Sequence, residues 1–134
     1  MTSVIIGIVW GLWHLPEFYN PTSTQYAAGI GFLVPMFGMW IASSVIMTWL
    51  YNKTGESVLL SGVLFHLMLD FSSTTLLADF TLTGMTEGIP PIDLRLLMAQ
   101  IVIFAIVALI IVGMTRGQLG YSAENDIEKI RRIG

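Results

Sequence analysis

Three long apolar stretches of this sequence set the strongest limit on what the chain can fold into. They cover residues 26–51, 58–78 and 94–114, and each is long enough for a helix that crosses the roughly 30 Å hydrocarbon core of a bilayer. Only 11% of the residues are charged, whereas an average soluble domain carries about 25%. So little charge cannot cover a globular surface. We therefore predict an all-α protein, a polytopic transmembrane helix bundle of about four helices.

A shorter apolar stretch lies at the start of the chain. Residues 3–13 predict a helix of only about 18 Å that ends near His14, because Pro16 limits its continuation. This helix is either half-buried inside the bundle or lacks its beginning. Residues 1–115 then form the transmembrane domain, and residues 116–134 form a polar carboxyl-terminal tail. The long helices are predicted at about 27–51, 57–77 and 93–115.

Basic residues mark one side of the predicted bundle. Lys53, Arg116 and the basic residues of the tail fall on one side, whereas Arg95 stands alone on the other. By the positive-inside rule, we predict an integral protein of the cell membrane with its carboxyl terminus in the cytoplasm. The net charge of −3 provides no basic stripe, so the expected partners include the lipid bilayer and no nucleic acid. The absence of cysteine excludes disulfides and a thiol nucleophile.

Two ionisable residues lie inside the apolar stretch 58–78. His66 and Asp70 are four positions apart, so a helix places them one turn apart on one face. The other histidine, His14, ends the first apolar stretch. Ionisable groups within a membrane usually face a bundle interior or a wet cavity, which makes all three residues functional candidates.

His14, His66 and Asp70 can share one site. Neutral imidazoles and a carboxylate can bind a metal, position a water or stabilise an oxyanion. In the alternative interpretation, Asp70 pairs with His66 in a buried polar network that only fixes helix packing. The site hypothesis requires the helices that carry the two histidines to be neighbours, with the nearest ring nitrogens within about 8 Å. The glycines expected to face each other in this close approach are Gly7, Gly11 and Gly62.

Three segments of the sequence, taken in their order, resemble one family of membrane proteins. They read VWGLWHLP over residues 9–16, WLYNKTG over residues 49–55 and LFHLMLD over residues 64–70. They resemble the CAAX-protease and bacteriocin-processing family (CPBP, also called Abi), which includes intramembrane proteases of the type II CAAX prenyl endopeptidase kind. The family's second motif is Phe-x-x-x-His, and its third is His-x-x-x-Asn or His-x-x-x-Asp.

The matching positions imply roles for individual residues. Trp10 and His14 match the second motif with Trp in place of Phe, and His66 with Asp70 matches the third in its Asp form. The resemblance implies an endopeptidase of a prokaryotic cell membrane that hydrolyses peptide or protein substrates. His14 would hold the attacking water or a divalent metal such as zinc. His66 and Asp70 would stabilise the oxyanion or complete the metal shell, and Trp10 would wall the pocket.

The family's first motif, a Glu-Glu pair followed by an Arg, is missing. It supplies the glutamate thought to activate water, and no adjacent glutamates occur in this sequence. We therefore expect the chain to be the carboxyl-terminal part of a longer protein, or a truncated product, and to be inactive alone. The glutamates present fall in predicted loops or in the tail: Glu17, Glu56, Glu87, Glu124 and Glu128.

Two other functions stay open on the sequence. Without the Glu-Glu pair, the chain fits a non-catalytic membrane protein, such as a bacteriocin self-immunity or scaffold protein. A transporter fragment with a proton relay through His66 and Asp70 is the third interpretation, but the sequence shows no repeat between its halves.

Overall fold

The computed structural model describes residues 2–76, 94–122 and 131, and the regular structure of these residues is entirely helical. The helices are α1 (Thr2–His14), α2 (Thr24–Ala28), α3 (Leu33–Lys53), α4 (Phe65–Leu76) and α5 (Leu94–Thr115). Short 3₁₀ turns cover Leu15–Tyr19 and Ile30–Phe32, and a π-helical segment, Leu59–Leu64, leads directly into α4. The predicted all-α fold class is confirmed.

Two segments of the described chain are long and apolar enough to cross a membrane, Ile30–Lys53 and Leu94–Thr115. A third apolar helical segment, Leu59–Ser72, is shorter. At 13 residues, α1 is as short as its sequence predicts. The lengths and compositions of these helices support a membrane protein.

The first long helix starts later than predicted. α3 begins at Leu33, because Gly29 ends α2 with a φ of +84° and a 3₁₀ turn follows it. This backbone conformation favours glycine, since a side chain with a Cβ would be strained there. The third predicted helix, expected from residue 57, begins as the π-helical segment at Leu59 and continues as α4 from Phe65, and α5 agrees with prediction. The end of the predicted third helix, the loop 79–93 and most of the tail lie outside the described residues.

α3 forms the centre of the described helices and is packed on two sides. One apolar cluster joins Met36 and Trp40 of α3 to Leu97 and Ile101 of α5. A second cluster, further along both helices, joins Val45 and Ile46 to Ala108 and Ile111. Residue numbers rise together along the two helices, so α3 and α5 run in the same direction, with α4 returning between them in the chain.

Two glycines bring α1 against α3. A Cβ atom on Gly7 would lie 2.5 Å from the Cα of Ile41, and one on Gly11 would lie 2.6 Å from the ring of Phe37. Only glycine permits helix backbones to approach this closely. The prediction that these glycines face Gly62 is wrong: they face α3, and the neighbour near a Cβ on Gly62 among the described residues is Val58, four residues earlier. α3 offers the long buried surface against which α1 packs.

The end of α3 and the start of the tail lie at the same end of the molecule. The side-chain amide of Asn52 donates a hydrogen bond to the carbonyl of Leu119 at 2.9 Å. The aliphatic part of Lys53 lies against Gly120, 3.2 Å from where a Cβ would be. The Lys53 turn and the start of the tail, which the topology prediction puts on one side, therefore lie close together.

Candidate functional site

Trp10 connects the two histidines of the predicted site. Its indole ring stacks on His66, with centroids 5.1 Å apart and planes at 28°. Its Nε1–H donates a hydrogen bond to Nε2 of His14 at 2.9 Å. The ring of His14 in turn stacks on Trp40, with centroids 5.0 Å apart and planes at 8°. The structure therefore joins α1, α3 and α4 through a row of four rings: His66, Trp10, His14 and Trp40.

The α1 part of this row follows from local sequence and from the close contact with α3. Trp10 and His14 are four positions apart, so the helix places their side chains one above the other. The tight packing at Gly11 keeps α1 close to α3, where Trp40 is 3% exposed. Phe37 packs edge-on against Trp40, with centroids 5.4 Å apart. His14 is thus held between two tryptophans.

The α4 part of the site consists of His66 and Asp70. Nε2 of His66 lies 3.5 Å from Oδ2 of Asp70, as the spacing of four predicts. The side chains of His66 and Asp70 are 43% and 65% exposed. His66 follows a π-helical segment, in which the buried hydroxyl of Ser61 donates to the carbonyl of Ser57 at 2.8 Å. Short π-helical segments occur frequently at functional sites.

A cavity of about 500 Å³ lies beside this row of rings, between α1, α3 and the start of α4. His66 and Trp10 contribute to its wall, and the cavity extends along α1 to Thr2, about 12 Å of helix. The wall also includes the hydroxyl-bearing Ser44, which is 2% exposed. Its Oγ has no hydrogen-bond partner among the described residues. The remaining lining residues are Ile6, Met47, Thr48, Tyr51, Asn52 and Ser61.

Two residues near His14 escaped the sequence analysis. Oε1 of Glu17 lies 3.7 Å from Nδ1 of His14, although the sequence analysis placed Glu17 only in a loop. The spacing of three, together with the helix-favouring Pro16 at the start of the turn, was the signal that could have shown this contact. Trp40 had no such signal, because it belongs to another helix and meets His14 only through packing.

The described residues do not by themselves fit a metal ion. Nε2 of His14 already accepts the indole hydrogen bond, so its lone pair is in use. Among residues 2–76, 94–122 and 131, no three His, Asp or Glu side chains form a group that could hold an ion. Ligation of zinc by His14 and His66, which the resemblance implies, stays a prediction.

The sequence is similar to a known protease. It is 28% identical over 81 residues to the CAAX prenyl protease 2 of Methanococcus maripaludis, an alignment that covers 55% of this chain and 28% of that protein. No family model matches the chain. No solved structure matches it. The finding supports a distant relationship to CAAX proteases over a part of their length.

Proposed function

We propose that this chain is the histidine-bearing part of a CAAX-type intramembrane protease, which hydrolyses peptide bonds of a protein or peptide substrate at the membrane. The position of His66 carries the proposal. Its ring lines the cavity, stacks on Trp10 and has the carboxylate of Asp70 one turn away. The similarity to a CAAX prenyl protease 2 supports the same reaction class.

In the proposed reaction, His66 stabilises the oxyanion. A peptide in the cavity develops negative charge on its carbonyl oxygen when water attacks, and an imidazole N–H donates a hydrogen bond to that oxygen. Nε2 of His66 lies 3.5 Å from Oδ2 of Asp70, so an imidazole that meets this carboxylate and the oxyanion at the same time has both nitrogens protonated, and Nδ1–H is the donor to the oxyanion. Removing one such donor typically costs about 10²–10³-fold in rate.

The attacking water also needs a base. The sequence lacks the adjacent glutamates of the family's first motif, and the chain spans 28% of the length of the relative it matches. We propose that a carboxylate outside these 134 residues takes the proton from water and passes it to the leaving amine. Residues 1–115 would then form part of the protease domain, and residues 116–134 its polar tail.

A peptidase assay tests this proposal. Any longer chain that the reading frame encodes upstream of Met1 is compared with the 134-residue chain, both in nanodiscs, on fluorogenic peptides with and without a lipidated carboxyl-terminal cysteine. The extended chain should hydrolyse peptide and lose at least about 10²-fold in rate in His66→Ala. The 134-residue chain should be slower by about 10²–10⁴-fold, the usual contribution of a general base. Trp13→Phe, at an 80% exposed position, is the matched control.

A non-catalytic membrane protein, such as a self-immunity or scaffold protein, is the second candidate. The absence of adjacent glutamates favours it. It predicts that neither form of the chain hydrolyses any peptide, and that His66→Ala changes no rate.

We also propose the orientation of the chain, with the Lys53 turn and the tail in the cytoplasm. Single Lys53→Cys and Glu87→Cys variants test it, because the native chain contains no cysteine. An impermeant thiol reagent outside the cell should label the variant at position 87 and spare the one at position 53. Labelling of both variants from the same side would contradict the topology.

A further inference from the structure

We propose that Glu17 is a positioning residue of the site, which acts with Trp10 to hold neutral His14 with its proton on Nδ1. This role lies outside the motif residues discussed above. The part of Glu17 in hydrolysis rests on the proposed function, whereas the state of the His14 ring does not.

The Trp10 contact defines one nitrogen of His14. An indole N–H can only donate a hydrogen bond, so the atom that it meets must carry a lone pair. That atom is Nε2 of His14, at 2.9 Å. A neutral imidazole has one protonated nitrogen, and the proton of His14 is therefore on Nδ1.

Glu17 lies at the other nitrogen. Nδ1 of His14 is buried and has no hydrogen-bond partner among the described residues, and a buried N–H without a partner is costly. The nearest charged acceptor shown is Oε1 of Glu17, at 3.7 Å. The Glu17 side chain is 43% exposed and can rotate, so closing this gap to a charge-assisted hydrogen bond of about 2.7–2.9 Å needs a shift of roughly 1 Å.

The backbone of Glu17 is fixed where this contact requires it. Its carbonyl accepts a hydrogen bond from the buried hydroxyl of Ser23 and another from the N–H of Asn20 at 3.2 Å. The next residue, Phe18, is 6% exposed and belongs to the same apolar cluster as Trp40. The turn that carries Glu17 is thus anchored on the helix that also supports the His14 ring.

The contacts of its two ring nitrogens limit how His14 can act. With Nε2 bound to Trp10, the remaining group of His14 is Nδ1–H, which can donate to Glu17 or to a water but, being protonated, cannot ligate a metal ion. His14 instead fixes the indole on which His66 stacks. His14 and Glu17 therefore act on the cavity through Trp10, and His66 is the imidazole that meets the substrate.

Nitrogen NMR on the 134-residue chain in nanodiscs tests this inference. The chain contains two histidines, so ¹⁵N-histidine labelling gives two rings, and His66→Gln assigns them. At about pH 8.5, where an ordinary imidazole is neutral, the protonated nitrogen of each ring is identified directly. His14 should be protonated on Nδ1. A His14 ring protonated mainly on Nε2 would overturn the proposal.

The variants separate this role from a merely structural one. Trp10→Phe keeps a stacking ring and removes the donor, and Glu17→Ala removes the acceptor. Each should lower the ratio of the Nδ1–H to the Nε2–H form about 3- to 10-fold, as expected for one hydrogen bond. Glu17→Gln retains an acceptor oxygen and should restore most of the ratio. The controls Trp13→Phe and Glu56→Gln should leave it unchanged.

The tautomer measurement still tests the role of Glu17 if the Trp10→Phe variant is unstable. If Trp10→Phe loses its helical circular dichroism, Glu17→Ala and Glu17→Gln still decide, because they change a half-exposed side chain. An unchanged ratio in Glu17→Ala contradicts the role of Glu17. If the ratios behave as expected but the extended chain hydrolyses no peptide, the proposed protease function fails and the tautomer assignment stands.

Discussion

The two histidines of the site differ in how firmly the fold holds them. His14 has a 22% exposed side chain, a tryptophan on its face and an indole N–H on one nitrogen. His66 is 43% exposed and is held by one stacked ring and a carboxylate of its own helix. We infer that the two parts of the site differ in role. α1 and α3 form a packed support, whereas α4 presents an exposed imidazole to the cavity.

Because the packed support of α1 and α3 is buried, substitutions there should lower the free energy of unfolding more than substitutions in α4. Trp40→Ala removes a 3% exposed ring from the face of His14. We expect it to lower the free energy of unfolding by about 3–5 kcal/mol, the usual cost of truncating a buried aromatic residue. Circular dichroism during SDS titration in mixed micelles measures this. Trp13→Ala, at an 80% exposed position, should stay within about 0.5 kcal/mol of the native chain. Equal losses of unfolding free energy in Trp40→Ala and Trp13→Ala would show that the packed support is not the more stabilising part.

The close contact of α1 with α3 gives the next largest effect. Gly7→Ala places a Cβ 2.5 Å from the Cα of Ile41, so the helices must separate. We expect a loss of about 1–3 kcal/mol in the free energy of unfolding, typical of overpacking. Gly113→Ala on α5 meets no atom within 4 Å and should stabilise the chain by up to about 1 kcal/mol through helix propensity. Thermal unfolding followed by far-ultraviolet circular dichroism compares the two glycine variants. If Gly7→Ala were stabilising, α1 would not pack closely against α3 at this position.

The smallest effect on stability should come from a substitution in α4, which carries the exposed pair. Asp70→Asn removes the charge of a 65% exposed side chain that lies within one helical turn of His66. Exposed pairs of this kind contribute about 0–1 kcal/mol. The same SDS titration should therefore show little change. A loss as large as that of Trp40→Ala would mean that Asp70 supports the fold, as in the packing interpretation.

The local features of the site could be predicted from the sequence. A helix fixes the neighbours at a spacing of four, which is why the His66–Asp70 pair agrees with prediction. The same periodicity accounts for the hydrogen bond from Trp10 to His14. The all-α class followed from the apolar stretches, because backbone groups in lipid must be satisfied within a helix.

Only the tertiary structure decided which helix faces each of these side chains. Gly7 and Gly11 were expected to face Gly62, yet they pack against α3. The stack of Trp10 on His66 and that of His14 on Trp40 each join different helices. Spacing along one helix determines which residues share a face, but the partner of that face depends on how all the helices fill space together. The sequence by itself therefore determined the helices and the candidate groups, and packing around α3 determined which of them support the site and which of them face the cavity.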